Sequence, residues 1–527
     1  MADPATNALN RTGYGGYGYL NHPPKTINLP NFDVAAPKSY KVNYPMWLTL
    51  RDCYAGEQRI KQQGEIYLRR LSAHSQEEYE SYLNRGYFYN AVRRTHVGLV
   101  GSLFRKPPEF TIPPSIKIDV TNITIQKDSL VNFSKTVGHE VLLTGRYGVL
   151  VDFMGSNAKD AYITGYNAEN IYYWREIVWG PRKVIDRIIL IENETVQTEY
   201  GETCQEIYRV LRLDPDANGN LLYSQDVIRP AADGKETPTV QKINFNSRGK
   251  SLDYIPFVFF NSTDNLPEAK PATLQDIATI NISHYQSSAH LEHGRFYAGM
   301  PTYVTSGDVS EQIPGLGSPL PRTVGPSNLW ELEKDAKAWL LEFTGHGLTF
   351  LENAVDSKQL QMQSLGGRLI SSTRRAAAMS SEAWQLLETG DEATLLDVAE
   401  TMDAGFARVL SILAHIRGDI SDPDKSGIVA EFNKEFVRSD LTARELRALQ
   451  ALREGGHIPE DVMYYALRSV NVIPIEYTLE EFKALMDKKD QKYEPPTPPP
   501  MAINPNLSPP PKNPASNPKG GSFGGGN

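Results

Sequence analysis

The chain has 527 residues, 40% of them hydrophobic and 10% aromatic, with a formal net charge of −9. That is enough apolar material for a real core and, by length, for roughly two to four domains. The acidic balance argues against a protein that grips nucleic acid through a broadly basic surface.

Cys53 and Cys204 are the only cysteines, so neither a disulfide framework nor a zinc spacing can be built, and the redox setting is most simply cytosolic. Met1-Ala2-Asp3-Pro4-Ala5 lacks the cationic and apolar segments of a signal peptide. No stretch approaches the roughly eighteen apolar residues of a membrane span. The expectation is a soluble protein retained inside the cell, with no membrane partner.

Residues 1–40 are rich in Asn, Gly, Pro and Tyr without a sustained period and predict an extended arm. Its aromatic content suits packing against a neighbouring chain better than an inert linker. Tyr44–Arg70 and Gln76–Phe104 read as helices, the second stopped by Pro107-Pro108 and Pro113-Pro114. Ser129–Tyr147 is a further helix. From Gly148 the pattern turns to short β-rich runs, at Val149–Phe153, Val184–Glu192, Glu206–Leu213, Leu221–Ile228, Val240–Asn244 and Ile255–Phe260. Helices followed by strands in one block predict an α+β domain over about residues 41–270.

Thr273–Ala298 returns to helix, with Leu274, Ile277, Ala278, Tyr285, Ala289 and Phe296 recurring on one face. Gly299–Gly347 is a turn-rich insert with β-like runs at Thr302–Thr305 and Trp339–Phe343. Helix resumes at Phe350–Ile370, followed by the basic connector Ser371-Ser372-Thr373-Arg374-Arg375. Beyond it Leu395, Ala399, Met402, Phe406, Val409, Leu413 and Ile416 alternate spacings of four and three, a helical face that no strand pattern fits. Glu388, Asp391 and Glu392 precede that stripe, Asp397 and Glu400 point away from it, and Asp403 lies on its flank. These acids are an ordinary solvated helix surface or an anionic wall. Ile428–Val437 reads as a strand, Ala443–Arg453 and Pro459–Val470 as helices, and the Pro/Gly-rich stretch from Glu494 as a disordered tail.

Motifs for chemistry are weak. Gly13, Gly15 and Gly18 spell G-x-G-x-x-G, but no strand precedes them and no helix follows. Asp214, Asp216, Asn218 and Gly219 imitate half a calcium loop, yet its twelfth position is Gln225; a hairpin turn explains Asn-Gly more simply. His284, His290 and His293 share one predicted helix without the H-E-x-x-H spacing of a zinc site and read mainly as polar positions on a packed helix. Neither a metal nor a cofactor is expected, and nothing favours an enzyme.

Several strings, in order, carry a family resemblance: Tyr89–Thr95 with Gly98–Lys106, His139–Phe153, Ile255–Asn261, His284–Pro301, Gly325–Leu329 and Glu342–Leu365. Together they resemble the portal proteins of tailed bacteriophages, the head-to-tail connectors, over about residues 45–480. The resemblance implies a portal-type α+β fold: an arm at 1–40, a mixed α/β wing at 41–271, a stem helix at 272–298 and a small α/β clip at 299–348. A second stem helix at 349–370, a tunnel loop at 371–381 and a long helix at 382–418 would follow. The strand and a short helical crown at 419–493 and the tail at 494–527 complete the plan.

It further implies a dodecameric ring at one capsid vertex of a virion assembled in the host cytoplasm. Double-stranded DNA would pass through it without sequence preference, and the terminase large subunit, a head–tail adaptor and the major capsid protein would be its partners. Twelve helices spaced at about 10 Å leave an opening of about 28 Å, room for a duplex. A channel must not hold what slides through it, so cationic contacts would be sparse: Arg368, Arg374 and Arg375, unless these pair with acids of a neighbouring subunit. Glu388, Asp391, Glu392, Asp397, Glu400 and Asp403 are the candidate channel-lining acids. The rival readings are another virion component, an adaptor or tail protein, and an enzyme with a site near His284–His293.

Overall fold

The computed structural model describes residues 27–29, 32–72, 74–153, 158–198, 200–229, 251–300, 302–306, 337–341, 346–366, 381–436, 447, 451, 459–469 and 478–483. The strand expected at 240–244, most of the insert at 299–348, the connector at 371–375, most of the helix at 443–453 and the tail lie outside these residues. The chain divides into two compact units, Met1–Val437 and Arg438–Asn527. It is α+β, with helices and antiparallel sheets in separate blocks. Among the described residues no helix is long and apolar enough to cross a membrane.

A small ladder of β1 (Ile27–Leu29) and β2 (Phe32–Val34) leads into α1 (Lys38–Ala55). This corrects the expectation of an extended arm up to residue 40 and a helix from Tyr44. α1 carries Pro45 in its interior, and Tyr40 in its first turn holds it to the body. That ring packs against Trp47 and Tyr172 and donates its hydroxyl to the Glu169 carbonyl at 2.7 Å. The single helix expected to Arg70 breaks at Gly56, whose φ of +100° lies outside helical space. α2 (Glu57–Gln62) follows the break.

The helix expected over 76–104 is also two. α3 (Gln76–Arg85) starts on a capping box, with Ser75 Oγ accepting from Glu78 N at 3.2 Å and Glu78 Oε2 from Ser75 N at 2.7 Å. α4 (Ala91–Leu103) starts on Asn90, whose side chain accepts from Arg93 N. β3 (Glu109–Thr111) comes next, then α5 (Leu130–Thr144), capped by Ser129 and closed by Gly145 in the left-handed region.

β4 (Arg146–Phe153), β5 (Ala161–Asn167) and β10 (Phe257–Asn261) form an antiparallel sheet in the order β10-β4-β5. Every residue of β4 is buried. β6 (Ile171–Trp179), β7 (Arg182–Thr198), β8 (Gly201–Pro215) and β9 (Leu221–Ile228) form a four-stranded antiparallel meander. Sequence periodicity overlooked β5 and β6 and shortened β7 and β8. The β8–β9 turn is the hairpin expected from Asp-Ala-Asn-Gly: Gly219 takes φ +80°, and Asp216 Oδ1 accepts from the amides of Asn218 and Asn220 at 2.8 and 2.7 Å.

One buried ion-pair group joins the two sheets. Arg209 of β8 donates to Glu192 of β7 at 2.6 Å and to Asp152 of β4 at 3.1 Å, while Gln225 of β9 donates to Asp152 at 2.9 Å.

α6 (Gln275–Ala298) is followed by β11 (Thr302–Ser306), which pairs antiparallel with β12 (Lys337–Leu341), and by α7 (His346–Gly366). α8 (Ser381–Arg417) is 37 residues, about 55 Å at 1.5 Å per residue. All seven residues of its predicted apolar stripe are buried, and so are Val398, Leu410, Ile412 and Ala414. α8 packs on β10, β4 and β5, and its Phe406 meets Phe110, Phe133, Phe260 and Phe432. The strand expected at Ile428–Val437 is only β13 (Val429–Glu431), antiparallel to β3. One hydrophobic cluster runs through α1, α4, α5, the β10-β4-β5 sheet, α6 and α8. In the second unit α9 (Glu460–Ser469) buries Tyr464 and Leu467 against Met463, Leu479 and Phe482.

Candidate functional site

The residues singled out by sequence fall on α6, on α8 and between α7 and α8, so the way these helices are held is the first question. α6 and α7 run antiparallel, as their contacts show. Gly294 sits so close to Leu348 that an added Cβ would come within 2.7 Å of its Cδ2. Arg295 pairs with Glu352 at 2.8 Å, and Lys358 donates to the Ser283 carbonyl at 3.1 Å and to Ser287 Oγ at 2.5 Å. Numbers rise along α7 as they fall along α6. Burial lowers the Lys358 pKa.

α6 is anchored in the body over its first two-thirds. Ile277, Ala278, Ile282, Tyr285, Ala289 and Leu291 are buried there, whereas Arg295 and Tyr297 near its end are exposed. Phe296, expected on the apolar face, is half-buried under the Arg85 guanidinium, which lies 3.6 Å from the ring centroid. A buried amide fixes the anchor. Asn281 Oδ1 accepts from Ala91 N and Val92 N at 3.2 and 3.4 Å, and its Nδ2 donates to the Tyr89 carbonyl at 2.7 Å. One α6 side chain thus serves as a second cap for α4. Asn281 carried no sequence signal, because its partners lie about 190 residues upstream.

The candidate acids separate. Asp397 and Glu400 are exposed on α8. Asp403 is engaged by its own chain: Oδ1 accepts from Phe432 N at 2.7 Å, and Oδ2 pairs with Lys434 at 2.9 Å. Its carboxylate fastens the segment after β13 to α8. Glu388, Asp391 and Glu392 lie on α8, and their side chains are outside the described residues. Arg368, Arg374 and Arg375, between α7 and α8, are outside them as well.

The histidines of α6 do not stand alone. His290 bonds the Tyr82 hydroxyl at 3.1 Å, and His293 Nε2 faces His74 Nε2 at 3.2 Å. His284 is buried, and burial followed by the Lys358 charge lowers its pKa. His74 had no motif to mark it. Among the described residues no group of three or more His, Cys, Asp or Glu is placed to hold a metal ion.

A family model described as "Domain of unknown function (DUF4055)" matches residues 273–416, which is α6 through α8. No curated protein matches the chain. Among the solved structures similar to it are two particle necks. A chain of the "Neck of native GTA particle computed with C12 symmetry" is 10% identical, with a TM-score of 0.35, over 75% of this chain and 89% of that one. A chain of the "Neck of empty GTA particle computed with C6 symmetry" is 12% identical, also with a TM-score of 0.35, over 71% of this chain and 88% of that one.

Proposed function

We propose that the chain is a structural, non-enzymatic subunit of a portal, a ring at one capsid vertex through which double-stranded DNA enters and leaves. The observation that carries this reading is the order of elements over residues 275–417. An anchored helix, a pair of strands, an antiparallel return helix and a 37-residue helix follow one another, the sequence of parts that the portal resemblance implies.

Side-by-side copies of the α6–α7 pair would form the wall. Phe350, Leu360 and Leu365 of α7 are exposed, and a neighbouring copy would cover such apolar surface. A head-to-tail contact of this kind closes into a ring when its rotation divides the circle. Arg368, Arg374 and Arg375 would supply weak phosphate contacts, and exposed acids such as Asp397 and Glu400 would keep the wall from holding DNA. The proposed partners are further copies, twelve in all, the terminase large subunit, a head–tail adaptor and the major capsid protein.

Negative-stain images and native mass spectra of the purified full chain test the proposal. Closed rings with a central hole are expected. Monomers and dimers alone, at every concentration and salt, would overturn it.

A further inference from the structure

Three histidines converge on the Tyr82 ring of α3. His74 comes from the turn before α3, His290 and His293 from the second half of α6. Their ring centroids stand 5.3, 5.7 and 4.9 Å from that of Tyr82. His74 Nε2 and His293 Nε2 are 3.2 Å apart, so one of the two must carry the proton and the other must accept it. Arg85 decides which. Its Nη1 stands 3.3 Å from His293 Nδ1, and a guanidinium only donates, so Nδ1 accepts and the His293 proton sits on Nε2. His74 Nε2 is then the acceptor, and the His74 proton lies on Nδ1, a buried atom without a hydrogen-bond partner among the described residues. The chain of bonds runs one way, Arg85 to His293 to His74.

There is no place for another proton. On His293 it would go to Nδ1, against Arg85. On His74 it would go to Nε2, against the His293 N–H. The Arg85 contact also disfavours a metal seat, because a histidine bound through Nε2 gives its Nδ1 proton to an acceptor.

The charged groups around the cluster do little to relieve it. From α3 come Arg85 and Glu78, whose carboxylate is held by the Ser75 amide. On α6, Glu292 pairs with Arg295, which also pairs with Glu352 of α7. Lys358 of α7 adds positive charge near His290. Burial, then His74 and Arg85, lower the His293 pKa against a smaller upward pull from Glu78. At His290, burial and Lys358 act downward.

We infer that His74 and His293, packed with His290 on the Tyr82 ring, form an acid-released latch, which clamps the end of α6 to α3 and the turn before it and frees that end when an added proton breaks the Arg85–His293–His74 chain. The freed end is the part of α6 that leads into β11. This concerns the chain itself and holds whatever assembly it enters.

Amide hydrogen exchange of the full chain, read by mass spectrometry at about pH 7.5 and about pH 5 and corrected for intrinsic rates, tests the latch. Peptides covering 288–298 and 74–82 should lose protection by about tenfold or more at the lower pH, while a peptide covering 398–413 of α8 should not. The double variant His74→Asn, His293→Gln keeps polar groups in place with nothing to protonate and should lose most of the response. His415→Gln, altered at a ring that bonds the Tyr254 hydroxyl, should keep it. Equal protection at both pH values, or an undiminished response in the double variant, would overturn the latch. Should that variant fail to fold, histidine C2-deuterium exchange on the unaltered chain decides: a His293 pKa below the ordinary value of about 6.5 supports the latch, and one at or above it sinks it.

Discussion

Phe260 of β10 lies over Gly405 of α8 so closely that a β-carbon on the glycine would come within 2.2 Å of the ring's Cε1. The bare backbone of α8 is what lets the long helix settle on the β10-β4-β5 sheet. Gly405→Ala adds one methyl to a filled space, and overpacking of this kind costs about 1–3 kcal/mol or more. Phe260→Leu in the same chain should recover part of the loss. Urea midpoints of the two single variants and the double variant measure both effects; additive losses would contradict the contact.

Two buried arginines should behave in opposite ways. Arg209 serves Glu192 and Asp152 together, so Arg209→Met strands two acids and should cost about 3–5 kcal/mol. Arg146 has one long bond to Asn261, at 3.4 Å, and its Nε and Nη2 have no hydrogen-bond partner among the described residues. It is stacked near Trp174 and Phe259, and burial pushes its pKa down to about 9. Arg146→Met removes an expensive charge and keeps the bulk, so it should be neutral or stabilising. Thermal unfolding of both variants gives the comparison directly.

Acid should weaken the fold in two steps. Burial lowers the His96 pKa to about 4, despite the His139 carbonyl 2.9 Å from Nε2. A histidine that titrates lower when folded than when unfolded takes up its proton more readily in the unfolded chain. Stability is therefore full above about pH 6.5 and falls as pH drops from there to about 4. Glu140 shifts in the same direction for a different reason: burial raises its pKa, but bonds from His139 and Arg51 outweigh that and bring it to about 2. Its contribution is present above about pH 4.5 and is lost toward pH 2. His96→Gln should flatten the first step by on the order of a few kcal/mol and leave the second. Denaturant titrations at half-unit pH intervals would resolve the two.

Asn281→Leu should cost more than Lys358→Met, although both sit at α6 contacts. The first leaves two amides and a carbonyl of α4 and its approach without their buried partner, at about 1–3 kcal/mol for each group left unsatisfied. The second removes bonds at a half-exposed position, worth about 1 kcal/mol. Equal losses would show that Asn281 does not anchor α6.

The helices of this fold were legible where a local rule decides them. The spacing of four and three from Leu395 to Ile416 marked α8, and every residue of that stripe is buried. The caps that start α3 and α5, Ser75 with Glu78 and Ser129, are local signals that the apolar period alone did not use. Gly56 and the Gly86–Asn90 stretch interrupt helices whose apolar period continues across them, so periodicity alone joined what the backbone separates. β5 and β6 are buried in an irregular pattern, so they lack the alternation that marks a half-exposed strand. The candidate site was half legible: His290 and His293 share a helix turn, but His74 meets them only in the folded chain.

β3 finds its partner only at β13, where Glu109 faces Glu431. A ribosome working at about 5–20 residues per second needs roughly a quarter of a minute or longer to deliver the second strand after the first. Until then Phe110 lacks Phe406 and Phe432, the rings it packs against, and an unpaired strand edge travels with the nascent chain. The first unit is sealed by nearly the last of its own residues to be made, so premature release short of Val429 would yield an unclosed, sticky body rather than a smaller working one.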